Sequence, residues 1–140
     1  MIQIIIGCPC SGKNTHVREN AQRGDLIFDY DSIHSSLSGQ SLYDHLPNIR
    51  PFVLAARNAI YDILEGDLSQ SAWIITATNN MDRITDLRQR FDAKVVYLKV
   101  DRTEAHRRAE DGNRPLVWHG YIDNWFDNVD LEVFGKEVKL

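Results

Sequence analysis

The start of the chain constrains its fold more than any other stretch. A nearly continuous apolar run, Ile2–Ile6, leads into Gly7, Cys8, Pro9, Cys10, Ser11, Gly12 and Lys13. Such a run suits a strand covered on both faces of a parallel sheet. Gly7 and Gly12 permit backbone angles that other residues resist, so successive N–H groups can converge on one anion. The polar, helix-forming segment 13–23, stopped at Gly24, then aims the positive end of a helix at the same point. Lys13 adds a mobile full charge. The spacing fits the phosphate-binding pattern G-x-x-x-x-G-K-[ST] with one departure. Asn14 stands where a Ser or Thr hydroxyl normally helps to hold Mg²⁺.

Beyond the loop, strands and helices alternate. Residues 25–31, 72–76 and 94–100 are predicted as strands, and 81–91, 102–111 and 116–129 as helices. Phe52, Val53, Ala56, Ile60, Ile63 and Leu64 recur at a helical period and predict one buried face, from which Arg57 turns away. Arg57 is then either solvated or aimed at a cleft. Residues 32–51 are Ser-rich, with Gly and Pro at the far end, and predict a short helix followed by a mobile stretch. The segment 65–71 breaks the preceding helix, and the tail 130–140 is expected to add a short edge strand. The pattern implies a single domain over 1–140 in the α/β class, with a parallel sheet and right-handed crossovers. Ligands in such sheets bind beyond the carboxyl ends of the strands. That edge receives Gly7–Thr15, Asp29–Asp31 and Thr76–Asn79.

The charge balance narrows the partners. A formal charge of −4 and a pI near 5.7 exclude a general DNA-coating protein, yet leave room for a small basic groove that grips one nucleic-acid end. No apolar run reaches the roughly 20 residues of a membrane span, and the opening "MIQIII" lacks a signal peptide's basic region and cleavage site. The cytosol is the expected compartment. Cys8 and Cys10 lie without a second Cys/His cluster, which makes them tolerated loop residues, with redox modulation as the minor alternative. His34, His45, His106 and His119 show no ligand spacing.

Several residues can carry chemistry. Asn14 is placed to lie near Mg²⁺, through an amide oxygen that is neutral and longer than a hydroxyl, and Thr15 to contact an α-phosphate. Asp31 is a candidate base for an attacking hydroxyl, against N-capping as the plain alternative. Asp29 is a helix cap or a metal-side carboxylate. Arg108 and Arg114 flank a helix end at Gly112 and are placed to neutralise a transferring phosphoryl group. The acids Asp101, Glu104, Glu110 and Asp111 also allow an ordinary salt-bridged helix there. The aromatic helix 116–129 favours core packing over a base-stacking platform.

These residues together resemble the small P-loop kinases, the group that includes the kinase domain of bacteriophage polynucleotide kinase and the zeta-toxin-like enzymes. The resemblance extends to about residue 126, close in the loop and thin elsewhere, and the start "CPCSGK…VREN" is also similar to phage and prophage-borne P-loop proteins. It implies a three-layer fold around a four-stranded parallel sheet of order 2-3-1-4. It further implies Mg·ATP as donor, Asp31 as base, and Arg108 and Arg114 as lid arginines. In the family an Arg that reads substrate phosphate follows the base by three residues, where this chain has His34. An S-D-T-N-like motif ends the third strand, where this chain has Thr76-Ala77-Thr78-Asn79. His34, Thr78 and Asn79 are thereby placed on the acceptor side. The expected activity is transfer of the γ-phosphate of ATP to a hydroxyl, such as the 5′-hydroxyl of a nucleic acid or nucleotide. The alternative is a nucleotide-binding module, or a slow ATPase, serving a phage nucleic-acid enzyme in the host cytosol.

Overall fold

The computed structural model describes residues 1–66 and 70–139. Four strands, β1 (Ile2–Ile6), β2 (Leu26–Asp29), β3 (Ala72–Thr76) and β4 (Lys94–Tyr97), form one all-parallel sheet of order β2-β3-β1-β4. Seven helices are present among the described residues. They are α1 (Lys13–Asn20), α2 (Tyr30–Ser38), α3 (Arg50–Leu64), α4 (Met81–Phe91), α5 (Arg102–Asp111), α6 (Val117–Asp127) and α7 (Leu131–Val138). The alternation of β1 explains the layering. Ile2, Ile4 and Ile6 enter the large core with Phe28, Ile74, Ile84, Ile122 and Phe134, while Ile5 packs with Val17 of α1, Trp73 and Ile75 on the other face. A strand covered on both sides needs apolar residues throughout, which is what the run 2–6 supplies.

The sheet matches the expected order, but four local expectations need correction. The first strand-to-helix junction is tighter: β2 ends at Asp29, so Asp31 sits in the first turn of α2 rather than on a strand. Strand β4 stops at Tyr97, short of Val100.

The face of α3 is also different. Val53, Arg57, Ile60, Tyr61 and Leu64 share its inner face at steps of three and four, and Tyr61 meets Phe28 and Phe91 edge-on at 5.5 and 5.3 Å. Phe52 and Ile63 flank that face and are 65% and 69% exposed. Arg57 therefore points inward.

The tail is a helix, not an edge strand. Asp130 accepts from the N–H groups of Glu132 and Val133, and Phe134 and Val138, one turn apart, are buried against the core. The break expected over 65–71 falls partly on residues 67–69, outside the described residues. No helix among the described residues is long and apolar enough to cross a membrane.

Candidate functional site

At the carboxyl edge of the sheet the chain turns from β1 into the glycine loop. Gly12 adopts φ 91°, a left-handed conformation open to glycine, and Cys10 shares that region at φ 64°. Gly7 answers to space rather than to angle. A Cβ there would lie 2.4 Å from Ser11 Oγ and 2.8 Å from the Leu98 carbonyl oxygen. The Ser11 N–H donates to the Cys8 carbonyl at 3.2 Å, and no side chain caps the first turn of α1. The free N–H groups of that turn and the loop amides supply an anion site. Lys13 Nζ folds back over the loop, donating to the carbonyls of Gly7 (3.0 Å) and Cys8 (2.7 Å) and to Ser11 Oγ (3.3 Å). Burial lowers its pKa from 10.5 to about 8. Burial likewise pushes the Cys8 thiol up to about 11, so it is held as an unreactive thiol.

The acidic corner lies at the end of β2. Asp29 Oδ1 accepts from the Asp31 N–H at 3.2 Å, capping α2, while Oδ2 accepts from Ser32 Oγ at 2.8 Å and Asn14 Nδ2 at 3.3 Å. Burial raises the pKa of this carboxyl, against its three donors. For Mg²⁺, which takes oxygen ligands and keeps several waters, the corner offers the Asp29 carboxylate and the Asn14 amide oxygen. The nitrogen of that amide faces Asp29, so the amide must turn before both oxygens can face one ion. No group of three or more His, Cys, Asp or Glu poised for a metal occurs among the described residues.

Asp31 faces a cavity of about 710 Å³ that Lys13, Asn14 and Thr15 also line. His45 Nε2 lies 2.7 Å from Asp31 Oδ1, close enough for an ion pair yet not aligned for an N–H···O bond. That carboxylate raises the His45 pKa above 6.5 against the opposing effect of burial. No local pattern marks His45, because its position depends on a fold-back. His34 is fully buried and does not line the cavity. The Leu46 N–H donates to its Nε2 at 2.9 Å, leaving the proton on Nδ1, which faces Ser38 Oγ at 3.5 Å. His34 thereby fastens the segment after α2 and brings His45 to Asp31.

Thr78 and Asn79 line the same cavity. Asn79 Nδ2 donates to the Trp125 carbonyl at 2.8 Å and Trp125 Nε1 to the Ala77 carbonyl at 2.9 Å, a reciprocal tie between the end of β3 and α6. Trp118, Ile122, Trp125 and Phe126 are buried, so α6 is a core helix, with Tyr121 left at the rim.

The two lid candidates separate. Arg108 pairs with Glu104 at 2.9 Å, reaches the Cys10 carbonyl at 3.3 Å, and lines a second cavity of about 560 Å³ beside Thr15, His16 and Leu98. Arg114 lines both cavities, its guanidinium 3.4 Å from the centre of the Tyr43 ring. The outer arginines of α5, Arg102 and Arg107, are salt-bridged to Asp123, Asp127, Glu104 and Asp111. Three further cations, Arg18, Arg57 and Arg83, line the large cavity. Sequence reading left Arg57 undecided and did not single out the other two. Comparison with known proteins adds no family here: no protein-family model matches the chain, and no curated protein matches it.

Proposed function

We propose that this protein is an ATP-dependent phosphotransferase of the P-loop kinase type. It moves the γ-phosphate of ATP to an acceptor hydroxyl, such as a nucleotide or nucleic-acid 5′-hydroxyl. One observation carries the reading: the loop lysine, a carboxylate and unpaired arginines line a single cavity at the carboxyl edge of the sheet. The second cavity, across the loop, has room for the donor nucleoside beside Thr15, His16 and Leu98. The loop amides and Lys13 hold the phosphates, and Asp31 accepts the acceptor's proton. Arg114, which borders both cavities, neutralises the transferring group, with Arg108 on the donor side. A Mg²⁺ ion would sit on the nucleotide oxygens next to Asp29 and Asn14, where it shields phosphate charge. Transfer from γ-labelled ATP to 5′-hydroxyl oligonucleotides, nucleotides and sugars tests the proposal. Asp31→Asn is expected to slow transfer about 10²- to 10⁴-fold. Transfer by that variant at the wild-type rate would remove Asp31 from the mechanism.

A second reading has its own observation. Asn14 donates to Asp29 and His45 pairs with Asp31, so both carboxylates of the site already have partners. That suits a nucleotide-binding module acting on a phage nucleic-acid enzyme, or a slow ATPase. Calorimetry with ATP separates the readings, since tight binding indifferent to Mg²⁺ and without turnover belongs to the module.

A further inference from the structure

Among the described residues, the arginines and lysines held by carboxylates and those lining the large cavity are different ones. Arg90, Arg102, Arg107, Arg108 and Lys136 each pair with a carboxylate. Arg18, Arg57, Arg83 and Arg114 pair with none among the described residues, and all four line the large cavity. The contrast is sharpest on the α3–α4 pair. Arg90, at the outer end, is gripped by Asp62 and Glu65, whereas Arg57 and Arg83 face the cavity without a carboxylate. Among the described residues, Arg57 Nη2 reaches only the neutral Asn58 Oδ1, at 3.3 Å, and its buried Nε has no partner.

Arg57 and Arg83 also line the same cavity as Tyr61. The Arg57 guanidinium lies 5.8 Å from the centre of the Tyr61 ring, which lines the cavity too. Burial raises the pKa of the Tyr61 phenol, while the charges of Arg57, Arg83 and Arg90 pull it down. Two unpaired guanidinia lining one cavity repel each other, and a buried Nε without an acceptor is costly. A tetrahedral dianion relieves both, since it accepts from two guanidinia at once. The donor's phosphates do not meet this need, because the glycine loop and Lys13 hold them, and neither Arg57 nor Arg83 lines the donor-side cavity.

We propose that Arg57 and Arg83 form a second anion subsite, which holds a phosphate group that the acceptor itself carries. The inference rests on the phosphotransferase reading and narrows it: the acceptor is a hydroxyl compound already phosphorylated at another position. In the transfer the acceptor hydroxyl oxygen forms the new P–O bond to the γ-phosphorus and its proton passes to Asp31. The bond from that phosphorus to the β–γ bridging oxygen breaks, and ADP leaves with the electron pair. The phosphate on Arg57 and Arg83 is unchanged and serves only to orient the acceptor.

The test compares acceptors in matched pairs, ribose with ribose 5-phosphate and thymidine with each of its monophosphates. Wild type, Arg57→Met, Arg83→Met and the double variant are assayed with labelled ATP, and Arg23→Met, outside both cavities, is the control. Wild type and Arg23→Met should prefer a phosphorylated partner through KM. Each cavity variant should lose about tenfold to hundredfold of that preference. Equal use of both members of every pair by wild type, or equal losses on both members in the variants, overturns the subsite.

A binding measurement keeps the two readings apart if nothing is labelled. Inorganic phosphate is titrated into protein saturated with a non-hydrolysable ATP analogue, with tryptophan fluorescence as the readout. Phosphate binding that the double variant abolishes keeps the subsite while the transfer reading falls. Binding absent in wild type, or unchanged in the double variant, sinks the subsite.

Discussion

Replacing Lys13 by Met should remove the affinity for nucleotide and make the stability of the ligand-free protein lose its rise at alkaline pH. The lysine ammonium is enclosed by the loop, and burial lowers its pKa from 10.5 to about 8. At about 1.4 kcal/mol per pH unit, that is about 3 kcal/mol of folded-state cost for carrying the charge at neutral pH. Its hydrogen bonds to the Gly7 and Cys8 carbonyls and to Ser11 Oγ offset part of the cost, and Met loses them. At about 0.5–1.5 kcal/mol net for each, the three bonds return about 1.5–4.5 kcal/mol, half of the cost or more, so the two proteins should lie within about 1.5 kcal/mol of each other at pH 7. The pH dependence is the sharper signature. Below about 8 both folded and unfolded chains hold the proton, and the wild type bears the full cost. Between about 8 and 10.5 the unfolded chain keeps a proton that the folded chain has released, so wild-type stability climbs with pH. The variant lacks this climb, so between pH 7 and 9.5 the balance shifts by about 2 kcal/mol toward the wild type. Urea unfolding of both proteins at pH 7 and 9.5 measures it. A stability difference that stays the same at pH 7 and 9.5 would refute the reasoning.

The Asp31–His45 contact makes its own pH prediction. A folded pKa raised above 6.5 gives stability that is fully present below that value and is lost as pH rises through the raised one. The Tm gap between wild type and His45→Gln should therefore be widest near pH 6 and narrow above it, and a pH-independent gap would show that only ring packing was lost. Phe134→Ala should cost about 3–5 kcal/mol in urea unfolding, as for other large buried aromatics. The ring is 2% exposed and meets Tyr97 and Trp125 edge-on at 5.1 and 5.6 Å, so a cost below about 1 kcal/mol would mean that α7 does not hold the core closed.

What the sequence made legible is what depends on neighbours along the chain. The strand before Gly7, the spacing of Gly12 and Lys13, and the helix after them act within a dozen residues, so their pattern survives in one dimension. The face of α3 did not, because its aliphatic residues alone do not mark it. Tyr61 is the residue that inserts between Phe28 and Phe91, and it turns the helix so that Phe52 and Ile63 are exposed and Arg57 looks inward. His45 was illegible for another reason. It reaches Asp31 only because the Leu46 N–H has bonded to the buried ring of His34, a contact across 12 residues that no local pattern encodes. The tail contained its answer in Asp130 and the 134/138 spacing. Gly135 and the valines around it simply favour a strand when packing is unknown.

Charge illustrates the difference most clearly. A chain at −4 looks a poor host for a phosphorylated ligand, and the count of acids over bases is correct. What decides the field in a cleft is which charges remain uncompensated there, since paired surface charges cancel within a few ångströms and are screened beyond about 10 Å. Here Asp62 of α3 and Glu104 and Asp111 of α5 are spent on Arg90, Arg107 and Arg108, outside the large cavity. The two carboxylates inside it are each engaged, Asp29 by three donors and Asp31 by His45. Lys13, Arg18, Arg57, Arg83 and Arg114 are left facing one another across the cavity. An acidic surface around a basic, low-dielectric cleft repels extended polyanions yet focuses potential on a small anion that fits inside. The same arithmetic that argues against a DNA-coating protein therefore favours a compact phosphorylated acceptor over a long nucleic-acid strand.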